Sequence, residues 1–504
     1  MESMYKKPEM VGDGMKETLN FITEVVRFWG EHILWVNLVL AGAVVFFERR
    51  NPKSVWAWLL LLYFVPVVGF LFYLLIGVDL RKRKRFQVKE VSDSLQEANR
   101  IQEHSLQSST LQELEQWLDK YRELIIYNLK AGGGVLTGDN DIDIFTDGNK
   151  LYDTIIEDLE KAKWFIHIQY YIIRDDILFE RIREVLERKI KEGVEVRILY
   201  DAMGCRTVST RFWEKLEKQG MEVAEFFPAL FGRFHLRMNY RNHRKLLIVD
   251  NEVAYVGGFN IGREYVDLDE TLGHWRDTHL RIRGTATLSL QIQFLQDWNY
   301  AAGKNLFGES KYYMEAAYGT RDACKVQIIA SGPDHSGQTI RDNYLYLIYK
   351  ARKSIYIQTP YFIPDEAVAQ ALHMAVLAGV EVHIMIPCKP DHMFVYWATY
   401  SYVGDLVMAG AKCYTYDNGF LHAKGMIVDG EVLCYGTANL DIRSFALNFE
   451  VNATVYDVDK AREMEEYFQK DLAYCSLISK DMYAGRSLKI RFKEQVCRLL
   501  SPVL

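Results

Sequence analysis

His243-Arg244-Lys245-Leu246-Leu247-Ile248-Val249-Asp250, followed by Gly257-Gly258-Phe259-Asn260, has a second copy in this chain. His422-Ala423-Lys424-Gly425-Met426-Ile427-Val428-Asp429 leads to Gly436-Thr437-Ala438-Asn439, with His, Lys, Asp, Gly and Asn at the same spacings. At ordinary residue frequencies, five fixed positions do not recur in one chain by accident. Each apolar, largely β-branched run ends at a turn signal, Asp250-Asn251 or Asp429-Gly430, and so reads as a buried strand entering a tight turn. Residues two apart share a strand face, so His243 and Lys245 point one way, as do His422 and Lys424. Asp250 and Asp429 lie seven positions from their histidines, face away, and are expected to act structurally at the turn. The returning strand should carry Asn260, or Asn439, back beside its His and Lys.

These groups suit displacement at a phosphodiester. One neutral imidazole attacks phosphorus and holds a covalent intermediate. A second, protonated, gives the leaving alkoxide its proton and later takes one from the incoming alcohol. Two lysines and two asparagines hold the non-bridging oxygens, whose charge is the main thing to stabilise. One copy supplies half of this set and two facing copies supply all of it. The residues alone do not say which histidine attacks.

The pair resembles the HxK(x)4D signature of the phospholipase D superfamily, with both copies intact. The resemblance implies His243 as nucleophile, His422 as general acid and base, and Lys245, Lys424, Asn260 and Asn439 as phosphate ligands. It also implies a carboxylate behind each histidine, fixing its tautomer, at positions matched by Asp277 and Glu450. No metal is expected, since the lysines supply the positive charge and no HExxH or Cys/His cluster is present.

The repeat extends outward. Ala162–Tyr170 matches Ala351–Thr359, and Gly193-Val194-Glu195-Val196 recurs as Gly379-Val380-Glu381-Val382. Strands alternating with helices predict two fused α/β sandwich domains, at 135–310 and 320–480, with mixed sheets and a pseudo-twofold between them. His167 matches Tyr356 and reads as a core or rim residue. Among flanking residues, Arg237, in an aromatic and cationic loop, is a candidate lipid contact. Tyr361 is placed at the mouth of the site, and Arg443 with Ser444 in reach of a second phosphate.

The 504 residues are 49% hydrophobic and 25% charged, enough for several cores. A net charge of −6 offers no basic field for nucleic acid. Seven scattered cysteines without a CxxC fit a reduced chain. After a polar segment at 1–31, residues 32–80 hold two apolar stretches, Ile33–Phe47 and Val55–Val78. The 24 uncharged residues of the latter would reach about 36 Å as a helix, enough to cross a bilayer. Arg81-Lys82-Arg83-Lys84-Arg85 then marks the cytoplasmic side, so residues 79–504 are expected in the cytoplasm. A shallow re-entrant hairpin is the alternative. In the linker at 81–134, Thr110 and Glu113 form a capping box. Leu111, Leu114, Trp117, Leu118, Tyr121, Leu124 and Ile125 trace one helical face, expected to pack on the catalytic body, and Gly132–Gly134 ends the helix. The basic amphipathic segment at 481–504 either lies on a membrane surface or docks on the body.

Apolar segments joined by Glu48–Trp58 ahead of a duplicated body resemble the bacterial cardiolipin synthases of the phospholipase D type, over nearly the whole chain. That likeness implies a multi-pass protein of the cell membrane. It would move a phosphatidyl group between two phosphatidylglycerol molecules with no cofactor. The alternatives are a hydrolase releasing phosphatidate, a transphosphatidylase using another alcohol, and a tethered nuclease.

Overall fold

The computed structural model describes residues 35, 37–46, 52–65, 69–70, 73, 117–228, 240–269, 271, 273–313, 324–334, 337–389 and 391–501. Residues 1–31, Arg81–Arg85, Thr110, Leu111, Glu113, Leu114 and Arg237 lie outside these.

In the N-terminal unit, residues 37–46 and Pro52–Phe64 are helical. Val44, Leu62 and Tyr73 are buried together, and Asn37 donates to the Leu62 carbonyl at 3.0 Å. Trp35, Val39, Trp56, Tyr63 and Phe64 are exposed. Among the described residues, no helix is long and apolar enough to cross a membrane.

The catalytic body begins where the linker helix Arg122–Gly132 ends on Gly133, whose φ of +67° suits a residue without Cβ. Leu118, Tyr121, Leu124 and Ile125 are buried in the body's core, as their spacing predicts. The first half contributes β1 (Leu136–Phe145), β2 (Phe165–Tyr170), β3 (Glu195–Asp201), β4 (Glu222–Phe226), β5 (Leu246–Val249), β6 (Val253–Gly257) and β7 (His279–Arg283). The second contributes β8 (Cys324–Ser331), β9 (Ser354–Gln358), β10 (Glu381–Pro387), β11 (Lys412–Tyr416), β12 (Gly425–Val428), β13 (Val432–Gly436), β14 (Asn448–Tyr456) and β15 (Cys475–Leu477). They pair as β4-β3-β2-β5-β6-β7-β1-β8-β14-β13-β12-β9-β10-β11-β15. Read from the centre outward, β1-β7-β6-β5-β2-β3-β4 and β8-β14-β13-β12-β9-β10-β11 are the same arrangement built twice. The β2-β3-β4 and β9-β10-β11 triplets are parallel and the other pairs antiparallel, giving the mixed sheet.

Strands β1 and β8 precede the segments in which the repeat is visible, and they join the halves. The start of β1 pairs with β8 and its end, from Asp141 to Phe145, with β7. Behind the sheet, Leu246, Val256, Leu280, Phe294 and Trp298 share one apolar cluster with Ile427, Leu433, Tyr435, Phe449 and Phe468. His167 belongs to the core, fully buried and stacked on Phe294 with ring centroids 4.3 Å apart.

The motif aspartates are structural. Asp250 accepts the backbone N–H groups of Lys163, Trp164 and Phe165 at 2.6, 2.9 and 2.7 Å. Asp429 does the same for Arg352, Lys353 and Ser354 and takes Lys120 Nζ at 2.6 Å. Both turns have left-handed backbone at their two central residues, +53° and +56° at Asp250-Asn251 and +57° and +64° at Asp429-Gly430, as tight hairpins favour. Each aspartate thus pins the start of β2 or β9 to the end of the motif strand. Asp250→Ala leaves three backbone donors, that of Phe165 buried, without their charged acceptor and is expected to cost about 2 kcal/mol of stability. Thermal melting should show the loss, with turnover per folded molecule largely retained. Unchanged melting with lost turnover would put Asp250 in the chemistry instead.

Candidate active site

Each motif strand starts just after its histidine, and what precedes the histidine sets the ring's position. Arg241–Asn242 forms a short strand paired in parallel with Asn448–Phe449, and His243 donates its N–H to the Phe449 carbonyl at 2.9 Å. Gly419–Leu421 pairs likewise with His274–Arg276, and His422 donates to the Arg276 carbonyl at 2.7 Å. Each histidine is therefore stitched to the residue just before a carboxylate of the other half.

The carboxylates are crossed accordingly. His243 Nδ1 lies 3.0 and 3.1 Å from the oxygens of Glu450, and His422 Nδ1 lies 2.6 Å from Asp277 Oδ2. Both acids are fully buried. Glu450 also accepts Thr437 Oγ1 at 2.6 Å and Asn448 Nδ2 at 3.1 Å. At the position equivalent to Thr437, the shorter Asp277 faces Gly258, where an added Cβ would come within 1.9 Å of Asp277 Oδ1. Buried ion pairs brace both segments. Arg244 binds both oxygens of Asp297 at 2.7 Å and reaches the Glu450 carbonyl at 3.2 Å, while Arg276 binds Asp471 at 3.0 and 2.9 Å.

His243 and His422 line one cavity of about 580 Å³, together with Asn260, Asn439, Tyr361 and Arg443. Lys245 and Lys424 are buried behind them, donating to the carbonyls of their own histidines, Lys245 at 2.8 Å. Asn260 is fixed by the Ile172 N–H at 3.2 Å and Tyr265 Oη at 2.9 Å, and Asn439 by Asp441 at 3.1 Å. Tyr361 donates to Asp391. Ser444 is fully buried and does not line the cavity, because its backbone N–H caps onto Asp441 and turns the residue inward. The contacts that sequence reasoning missed include Tyr171, edge-on to His243 at 5.0 Å, and Trp275, 5.1 Å from His422. Arg241 also lines the cavity. Its signal was present, since positions 241, 243 and 245 alternate onto one face.

Burial is the largest influence on all four central groups. It pushes His243 below the usual histidine range against the pull of Glu450. Burial and then Lys424, whose Nζ stands 2.8 Å from the same Nδ1 as Asp277, bring His422 down to about 4. Burial brings Lys245 to about 7, helped by Lys424, and Lys424 to about 8, opposed first by Asp277. Burial draws the lysines and histidines toward their neutral forms, and Asp277 and Glu450 partly oppose it. An anion placed beside the four groups would draw the lysines and an imidazole back toward their charged forms.

Known proteins share this organisation. A family model described as the phospholipase D-like domain of cardiolipin synthase matches residues 155–298 and 344–472, covering both motif copies. The chain belongs to the phospholipase D-like cardiolipin synthase family. A second model, the phospholipase D-nuclease N-terminal segment, matches residues 34–77. The cardiolipin synthase of Listeria welshimeri is 45% identical over 473 residues, 94% of this chain and 98% of the relative. The major cardiolipin synthase ClsA of Bacillus subtilis is 45% identical over 470 residues, 93% and 97% of the two chains. Family likeness thus runs through the N-terminal segment as well as the catalytic body. The phosphatidylserine synthase of Haemophilus influenzae has the same fold, with a TM-score of 0.59 at 14% identity over 76% of this chain and all of that one.

Proposed function

We propose that this member of the cardiolipin synthase family transfers a phosphatidyl group from one phosphatidylglycerol to the headgroup hydroxyl of another, giving cardiolipin and glycerol. The observation that carries the mechanism is a single cavity lined by both imidazoles, each held by a carboxylate from the opposite half. With Nδ1 committed to Glu450, His243 keeps Nε2 for phosphorus. Attack forms the N–P bond and breaks the bond from phosphorus to the glycerol oxygen, which leaves with a proton from His422. The acceptor hydroxyl then gives its proton back to His422 and attacks phosphorus, and the His243–phosphorus bond breaks. Lys245, Lys424, Asn260 and Asn439 hold the non-bridging oxygens through both steps. Arg443, beside Arg241 and Tyr361, receives the second lipid's phosphate. One phosphodiester replaces another, so no nucleotide is consumed.

The repeated strand order supports two fused domains, 135–310 and 320–480, about a pseudo-twofold. The exposed Trp35, Val39, Trp56, Tyr63 and Phe64 and the family match at 34–77 support a membrane-anchoring helical hairpin, and the basic run Arg81–Arg85 in the sequence favours the catalytic body on the cytoplasmic side. Anchoring keeps the site beside two substrates that are both lipids. Purified full-length protein given labelled phosphatidylglycerol, without nucleotide, should release glycerol and cardiolipin in equal amounts. Phosphatidate as the sole lipid product would make the protein a hydrolase.

A further inference from the structure

The C-terminal helix Leu488–Leu499 has two faces with opposite fates. Glu494 and Cys497 are buried against the body, Glu494 in an ion pair with Arg486 at 2.7 Å and Cys497 among Ile363 and Ala398. At 3.6 residues per turn, Leu488, Phe492, Val496 and Leu499 fall on the opposite side. Leu488, Phe492 and Leu499 are 81%, 71% and 82% exposed. Lys489 and Lys493 flank this stripe along one edge, Arg491 and Arg498 along the other. Docking accounts for one face of the helix and leaves an apolar ridge between two cationic rows.

The docked face of this helix adjoins the wall of the active-site cavity. Ser501, just past the helix, lines the cavity, and so does Val395 of the neighbouring helix Met393–Ala409. Immediately before Val395, Met393 and Phe394 are exposed. Cys497 beneath the ridge packs in the same cluster as Ile442 of the cavity wall.

We propose that the ridge formed by Leu488, Phe492, Val496 and Leu499, extended by Met393 and Phe394, beds into the surface of an anionic phospholipid bilayer and sets the cavity mouth against it. Apolar side chains enter the acyl boundary while lysine and arginine on both flanks meet lipid phosphates, the pattern of a helix lying in the interface plane. Lipids then pass from bilayer to cavity without crossing water. The inference rests on the reading of a lipid-handling enzyme, but its test involves no turnover, so the two can fail separately.

The test uses spin labels on full-length protein in bilayers containing phosphatidylglycerol, with Cys388 and Cys475, the two partly exposed cysteines among the described residues, replaced by serine. Labels at Leu488→Cys, Phe492→Cys and Leu499→Cys should collide freely with oxygen and poorly with a water-soluble nickel chelate. Their oxygen-to-nickel ratio should be at least about fivefold above that at the exposed Glu217→Cys. Adding Lys489→Glu and Lys493→Glu should lower that ratio. Nickel access at Phe492→Cys equal to that at Glu217→Cys would leave the ridge in water and overturn the proposal. Low access to both reagents would overturn it too, by showing that protein covers the ridge, whether another part of this chain or a second copy.

Discussion

His243→Ala is expected to lower phosphatidyl transfer by about 10⁵-fold or more, the scale seen when a covalent nucleophile is removed from a hydrolase. The residue brings the only atom proposed to bond to phosphorus, and its ring is the one that Glu450 orients. His422→Ala should be as inactive with phosphatidylglycerol and differ in how it fails. It retains the nucleophile and lacks the proton donor, so a leaving group that needs no proton should bypass the defect once. With the p-nitrophenyl ester of phosphatidate, His422→Ala should release one nitrophenolate per site and stop, with acid-labile phosphorus on the peptide containing His243. His243→Ala should show no burst. A burst in His243→Ala with label on the His422 peptide would exchange the two roles, and sustained turnover by either variant would discard the paired-imidazole mechanism.

The second large effect is expected from acids that never touch substrate. Glu450→Gln and Asp277→Asn preserve shape but remove the charge that holds each ring, and such changes in a catalytic triad cost up to about 10⁴-fold, or about 5.5 kcal/mol of barrier. The crossed geometry makes them distinguishable. Glu450 holds the proposed nucleophile, so Glu450→Gln should slow formation of the intermediate whatever group departs. Asp277 holds the proposed proton donor, so the loss in Asp277→Asn should shrink sharply when the nitrophenyl ester replaces phosphatidylglycerol. Single-turnover measurements on both donors read this difference directly. If the nitrophenyl ester relieved Glu450→Gln and not Asp277→Asn, the roles of the two histidines would be exchanged, with His422 attacking phosphorus and His243 carrying the proton.

Much of this was legible in the chain because it obeys local periodicity. The alternation of His243, Arg244 and Lys245 placed two groups at the site and one in the core, where Arg244 binds Asp297. The odd offset of Asp250 turned it away, and it caps the start of β2. What stayed hidden depends on contacts between residues far apart in sequence. Nothing near His243 announces that its partner is Glu450, 207 positions on. Nothing local shows β1 dividing its two ends between β8 and β7, or Ser444 turning inward. The C-terminal segment allowed two readings from its pattern, docking or membrane contact. The helix uses one face for docking and leaves the other uncovered, as a sequence pattern alone could not say.

The crossed acids carry a consequence for how the two halves can diverge. Were the halves separate identical chains, one substitution would alter both sites of orientation at once, and the two rings would be forced into the same surroundings. Fused in one polypeptide, each ring has its own tailoring: a long acid with a threonine for one, a short acid with a glycine for the other. Covalent linkage thereby lets the two rings sit in different surroundings, and each half takes from the other the acid behind its histidine.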